Sequence, residues 1–103
     1  MIRFSVYTNF VLIQDKTGDI LKKRIVDQPK LNIIGERVRE ARLRAGLSQS
    51  ALSQRLELHA VYVCRGSLSR IENGERAVTD IEIAALSKVL GVSLDVLFGN
   101  KDL

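Results

Sequence analysis

The chain of 103 residues has the length of one domain, and its 46% hydrophobic and 5% aromatic residues predict a mainly aliphatic core. Its single cysteine excludes an intramolecular disulfide, and no apolar run is long enough for a membrane-spanning helix or a secretory signal, so we expect a cytoplasmic protein. The net charge of +4 indicates an affinity for polyanions, although charge alone is more typical of an ordinary solvated surface.

The N-terminal segment has the pattern of a β-hairpin. Apolar and polar residues alternate over residues 1–14, which is typical of a strand. Residues 15–19 have the composition of a turn, and residues 20–26 provide a possible second strand. A hairpin alone is unstable in water, so a loosely ordered leader is an equally good interpretation of this segment.

Pro29 marks a boundary, because proline disrupts the interior of a helix or a strand. We therefore divide the chain into an N-terminal extension, residues 1–32, and a helical domain, residues 33–103. The charge of the helical domain is uneven. Seven arginines and four glutamates lie in residues 33–72, whereas three basic and five acidic residues lie in residues 73–103.

The first two helices of the domain have clear caps and apolar stripes. The first is predicted over residues 32–45, with Asn32 as its N-cap. Its buried stripe consists of Ile34, Val38, Ala41 and Ala45. Ser48 caps the second helix, whose buried residues are Ala51, Leu52 and Leu56. Gln49 follows in the first turn, where free backbone N–H groups favour an anion such as a phosphate.

The third helix is predicted over residues 64–73. Leu68 and Ile71 share its inner face, and Gly74 follows the last turn, where a left-handed C-cap prefers glycine. The side chains left to face solvent or a ligand include Arg65, Ser69 and Arg70. A helix this short depends on its neighbours for stability.

Two further helices complete the domain. Thr79 and Glu82 form a capping box at the start of the fourth helix, and Gly91 ends it. Its core stripe consists of Ile83, Leu86, Val89 and Leu90. Ser93 caps a short fifth helix with the inward residues Leu94, Leu97 and Phe98. Five short helices in this length predict a compact all-α domain.

Three segments of the helical domain together resemble a known family. They read Gly46-Leu47-Ser48-Gln49, then Leu68-Ser69-Arg70-Ile71-Glu72-Asn73-Gly74, then Leu86 to Asp95. This combination is similar to the phage-repressor-type, or Xre-like, helix-turn-helix family over residues 33–99. The resemblance implies a repressor-like DNA-binding domain, in which the second and third helices form the helix-turn-helix and residues 64–73 enter the major groove of double-stranded DNA.

The resemblance also assigns roles to individual residues. The positions that match base contacts are Arg65, Ser67, Ser69 and Arg70. Gln49 and Asn73 match phosphate contacts, while Arg42 and Glu72 match a charge pair that ties the first helix to the third. We expect the two arginines of the third helix to read bases, because a guanidinium can donate two hydrogen bonds to guanine, worth about 1–3 kcal/mol of discrimination.

The chain departs from the family's pattern in two places. Gly66 stands where a longer polar residue is usual, and glycine has no side chain that could contact a base. Fewer base pairs would be distinguished there, or the distinction would depend on DNA shape. The join between the second and third helices, residues 57–63, is longer than in the compact form of the motif. We expect the join to keep the usual angle between these helices, with Tyr62 near a phosphate or a partner subunit. The apolar residues available to dock on the core are Leu58, Val61 and Val63.

The remaining reactive side chains do not have the pattern of a metal, redox or catalytic site. His59 has no neighbouring cluster of ligands, so no metal or other cofactor is predicted. Cys64 is expected to be a small buried residue rather than a redox sensor, because a second thiol is missing. Ser67 and Ser69 have no histidine and acid pair beside them, so an enzyme is not expected.

The sequence thus favours a sequence-specific transcriptional regulator, a repressor that binds a two-fold operator as a homodimer. Pairing is expected because a single short helix reads only a few bases. The alternative is a helix-turn-helix that serves as a protein-interaction module, such as an antitoxin or a coactivator. Salt dependence distinguishes the two, since binding through phosphates weakens steeply as salt rises.

Overall fold

A computed structural model of the chain describes residues 10–14, 20–24 and 29–103. Its elements in chain order are β1 Phe10–Gln14, β2 Ile20–Arg24, α1 Gly35–Arg44, α2 Gln49–Leu58, α3 Arg65–Asn73, α4 Asp80–Leu90 and α5 Leu94–Leu97. The two strands pair antiparallel, with Phe10 opposite Arg24, which agrees with the hairpin interpretation of the extension. The predicted turn and the outer parts of both predicted strands lie outside the described residues.

The five helices enclose one aliphatic core. The largest fully buried side chains are Ile34, Val38, Leu52, Leu56, Leu68, Ile71, Leu86 and Leu97. Each such side chain contributes about 1.5–3 kcal/mol when it leaves water. Each of the helices α1 to α5 contributes residues to this core or packs against it, so the inner face of α3 packs against the rest of the domain. The predicted all-α architecture of the helical domain is confirmed.

Asn32 fixes the start of α1 against the end of α3. The helix begins at Gly35 with Ile34 as its N-cap, so the prediction that Asn32 is the N-cap is wrong, although the Asn32 Oδ1 atom accepts the Gly35 N–H at 2.8 Å. The Asn32 amide donates to the carbonyl oxygens of Ile71, at 2.9 Å, and Arg76, at 2.8 Å. A Cβ atom at residue 35 would overlap the Ile71 carbonyl oxygen, so glycine permits this close packing of α1 on α3.

The predicted caps of the later helices are confirmed. Ser48 accepts the Ala51 N–H and Ser93 accepts the Val96 N–H. Thr79 and Glu82 form both bonds of the capping box that begins α4. The C-caps Gly74 and Gly91 have φ angles of 77° and 67°, which L-amino acids with a side chain rarely adopt. These caps set the helix ends and hence the lengths of the loops.

Three residues predicted to face the core are exposed. Ala45 is the C-cap of α1 rather than part of the helix, so it lies beyond the buried stripe. Leu94 and Phe98 are 49% and 39% exposed, whereas Leu97 is completely buried. The fifth helix has only four residues, and one turn of helix can direct few side chains inward.

No helix in the part of the chain that the structure describes combines the length and the hydrophobicity needed to cross a membrane.

Candidate nucleic-acid interface

The outer face of α3 presents two free guanidinium groups. Leu68 and Ile71 have no exposed surface, whereas Arg65 and Arg70 are exposed. Ser67 and Ser69 lie half-buried beside them. Neither arginine forms an ion pair with any described residue. Both cationic groups can therefore meet an external ligand without first breaking an ion pair within the described part of the chain.

A buried ion pair holds α3 in place from behind. The Arg42 Nε and Nη2 atoms donate to the two carboxylate oxygens of Glu72, at 2.7 and 3.0 Å. Arg42 Nη1 also donates to the Leu47 carbonyl oxygen at 2.9 Å. Both side chains are less than 10% exposed. This bidentate geometry connects α1, the α1–α2 loop and α3 in one fixed arrangement.

Gln49 links the start of α2 to the same carboxylate. Its Nε2 atom donates to Glu72 Oε1 at 3.3 Å, and its side chain is half-buried. One amide hydrogen is used in this bond, and the amide carries a second hydrogen that can be donated to another acceptor. The first turn of α2 and α3 therefore share a hydrogen-bond network.

Cys64 is the N-cap of α3, and it is exposed, so the prediction that it would be buried is wrong. The N-cap residue lies outside the first helical turn, and its side chain bends back over the turn rather than into the core. Its Sγ atom accepts the Ser67 N–H at 3.5 Å and lies 3.4 Å from the Ser67 Oγ atom. These hydrogen bonds with the Ser67 side chain and backbone lower the pKa of the Cys64 thiol.

The long join between α2 and α3 is only partly docked on the core. Val61 and Val63 are buried as predicted, but Leu58 is 86% exposed, so its predicted docking is wrong. Leu58 follows the buried Leu56 by two positions, which places it on the opposite face of α2. The Ser53 hydroxyl donates to the Val63 carbonyl oxygen and secures the end of the join.

Tyr62 lies beside the first turn of α3. It is 76% exposed and shares a cleft of about 360 Å³ with Ser53, Glu57, Val63, Cys64 and Ser67. Asn73 is exposed at the opposite end of the helix, about 12 Å from the first turn at the usual rise per residue. The predicted contact residues thus extend along the whole exposed side of α3 and onto the start of α2.

Within the described residues, no group of three or more histidine, cysteine, aspartate or glutamate side chains could hold a metal ion.

The comparisons with known proteins agree with this geometry. The family model described as HTH_3, helix-turn-helix, matches residues 38–97. The chain belongs to the Xre-like helix-turn-helix family. Members of this family are DNA-binding transcription regulators, and the matched residues of this helix-turn-helix domain include the buried pair and the whole of α3. No match was found among curated protein sequences.

Several solved structures are similar to the helix-turn-helix domain. The restriction-modification controller protein C.AhdI from Aeromonas hydrophila is 31% identical with a TM-score of 0.55, and the match covers 63% of this chain and 87% of that one. The P22 c2 repressor in complex with a synthetic operator is 28% identical with a TM-score of 0.57, over 68% and 98% of the two chains. A Vibrio cholerae HTH_3 family transcriptional regulator is 25% identical with a TM-score of 0.57, over 70% and 38%.

Proposed function

We propose that this protein is a sequence-specific transcriptional regulator, a repressor that binds double-stranded DNA with α3 in the major groove. The observation that carries the proposal is the pair of exposed guanidinium groups of Arg65 and Arg70, neither of which pairs with an acidic residue that the structure describes. They lie on a helix whose inner face is fixed by the buried Arg42–Glu72 pair. A rigid helix with free arginines fits direct reading of guanine. The P22 c2 repressor, a similar structure, is itself bound to a synthetic operator. We place such a regulator in the cytoplasm with its DNA.

The contacts divide into base readers and phosphate anchors. The base readers in this proposal are Arg65, Ser67, Ser69 and Arg70. Gln49 at the start of α2, Tyr62 on the join and Asn73 at the end of α3 are the phosphate anchors. Anchors on both sides of the reading helix would fix its register on the duplex, which is the usual task of phosphate contacts.

We propose that the regulator acts as a homodimer on a two-fold operator. The recognition helix has nine residues, and a helix of this length contacts only a few base pairs. Two copies related by a two-fold axis double the number of base pairs that are read, with half-sites about one turn of DNA apart. The affinity difference between operator and other DNA increases accordingly.

One observation favours the alternative function, a protein-interaction module such as an antitoxin or a coactivator. Leu58, the last residue of α2, is 86% exposed, and Tyr62, in the segment between α2 and α3, is 76% exposed. Aromatic residues are enriched in protein–protein interfaces, and both side chains would leave water if a partner covered them. A protein partner that covered this join would bind without the steep salt dependence of DNA binding.

Selection from a random duplex library tests the proposal directly. Wild-type protein should select a two-fold consensus, and Arg65→Ala should lose the preference at one position of each half-site, by about 1–3 kcal/mol. Lys88→Ala, which removes one exposed positive charge at the end of α4, should select the wild-type consensus. The base-reading role of Arg65 would be rejected by an unchanged preference in the arginine variant, and the whole proposal by a library without enrichment.

A further inference from the structure

Gly66 is a glycine that the fold does not require. It is the second residue of α3 and is exposed, and a Cβ atom built there has no atom of residues 29–103 within 4 Å. Its φ angle lies outside the positive region that favours glycine, unlike that of Gly74 at 77°. Gly35 is the contrasting case, because a Cβ atom there would overlap the backbone of α3. Steric demands within the protein therefore explain Gly35 and Gly74 but not Gly66.

A glycine in a helix weakens that helix. It gains more backbone freedom than alanine in the unfolded chain and has no side chain that could shield the backbone from water. Alanine at position 66 would fit the existing backbone without a clash, so the domain would be more stable with it. Gly66 lowers the stability of the free domain, and a gain in the binding of a ligand to α3 would offset that loss.

The position of Gly66 on α3 indicates where that ligand lies. Gly66 is separated from Ser69, Arg70 and Asn73 by three, four and seven positions, so these residues form one stripe along the helix. Leu68 comes two positions after Gly66 and is completely buried, so the stripe faces directly away from the core. Gly66 is thus the residue of the first turn of α3 that lies farthest from the core.

We propose that Gly66 is a close-approach position, at which the bare backbone of α3 lies against the wall of the major groove. This inference rests on the proposed function. A side chain at this position would hold the first turn away from the bases, whereas glycine lets the helix sit deeper. The deeper position brings the short side chains of Ser67 and Ser69 within reach of base edges, which they could not contact from a greater distance.

The Gly66→Ala and Gly66→Leu variants test this role, with fluorescence anisotropy on a duplex that the wild-type chain selects from a random library. The apparent melting temperature of Gly66→Ala should rise by a few degrees. Its Kd for the selected duplex should increase roughly tenfold, and that of Gly66→Leu should increase further with the larger side chain. Both losses of affinity follow because the added side chain fills a space that is open in the free protein and closed in the complex.

A stability-matched variant separates close approach from a change in helix stability. Ala84 is exposed on α4, away from the stripe, so Ala84→Gly should lower the melting temperature and leave DNA affinity unchanged. The double variant Gly66→Ala, Ala84→Gly should melt near the wild-type temperature and still bind the duplex roughly tenfold more weakly. Recovery of wild-type affinity in the double variant would overturn the inference.

The outcomes also distinguish this inference from the proposed function. If the wild-type chain binds a selected duplex but both Gly66 variants bind it equally well, the close-approach role is wrong and DNA binding stands. If the wild-type chain selects no duplex and binds none, both proposals are wrong.

Discussion

Glu72 is the residue that fixes the position of α3 relative to α1 and α2. Its Oε2 atom accepts from Arg42 Nε, and its Oε1 atom accepts from Arg42 Nη2 and from Gln49 Nε2. One carboxylate in α3 therefore connects to both α1 and α2. Removal of two charges from water is costly, and the geometry offsets that cost only because almost every donor and acceptor is matched.

Glu72→Gln should destabilise the domain by about 3 kcal/mol, since it leaves the buried guanidinium of Arg42 without a counter-charge. Urea unfolding followed by circular dichroism measures this loss. The matched control is Glu36→Gln, which removes a carboxylate that forms an exposed pair with Lys30 and should leave the midpoint unchanged. Equal midpoints for the two variants would show that the buried pair is not important for stability.

Gln49→Ala should weaken binding to all duplexes about equally, by roughly five- to tenfold, because a phosphate contact carries no sequence information. Anisotropy with the selected duplex and with a scrambled duplex measures the two affinities. Because Gln49 also donates to Glu72, the same experiment tests whether Gln49 acts by orienting α3. A loss confined to the selected duplex would mean that Gln49 acts by orienting α3, and would contradict a phosphate-anchoring role.

At the scale of the elements, local interactions were predictable from the sequence. The caps at Ser48, Thr79 and Ser93 each join a side chain to a backbone N–H three residues later, so the signal lies within four residues. The start of α1 was misplaced because Asn32 bonds across the domain to Ile71 and Arg76, which no local pattern reveals. Helix ends depend on such tertiary contacts.

In the candidate site, too, the features that depend on neighbouring residues were predictable from the sequence, and those that depend on distant residues were not. Periodicity alone predicted that Leu68 and Ile71 would be buried and that Arg65 and Arg70 would face outward. The Arg42–Glu72 pair joins residues 30 positions apart, so the family resemblance was needed to suggest it. The exposure of Leu58 was missed because α2 extends to this residue, into the segment predicted as the join, and its side chain then lies on the face opposite the buried Leu56.

The start of α4 combines a cap with an ion pair. Glu82 accepts the Thr79 N–H at 2.9 Å and the Arg76 Nη1 and Nη2 groups at 3.0 and 2.8 Å. The hydrogen bonds from Arg76 lower the pKa of the Glu82 carboxyl below its ordinary value. Because the folded pKa is below the unfolded one, the stabilisation is complete above the unfolded value and is lost as the pH falls through the folded value.

Glu82→Gln should therefore lower the unfolding free energy by about 1–2 kcal/mol at neutral pH, and the difference from wild type should shrink below about pH 5. Urea titrations from neutral to acidic pH measure both chains. Glu75→Gln is the matched control, because Glu75 is exposed and forms no ion pair within residues 29–103. A difference from wild type that persists at the acidic end would show that the carboxylate charge is not what stabilises this turn.

At the scale of the whole molecule, charge is distributed unevenly along the helical domain. Arginines predominate in residues 33–72, which include α1 to most of α3, and acidic residues predominate in residues 73–103. A polyanion is attracted to the arginine-rich elements and repelled by the acidic ones. The orientation in which the proposed regulator meets DNA would thus be biased before any base is read.

This charge distribution predicts a steep salt dependence for DNA binding. If a dimer neutralises about six phosphates, its affinity for the selected duplex should fall by about 10³ between 50 and 200 mM salt. Anisotropy titrations over this range give the slope of log K against log salt. Lys88→Ala should leave the slope unchanged, because this residue at the end of α4 is not among the proposed DNA contacts. A slope near zero would be incompatible with counterion release from DNA and would favour a protein partner on the exposed join instead.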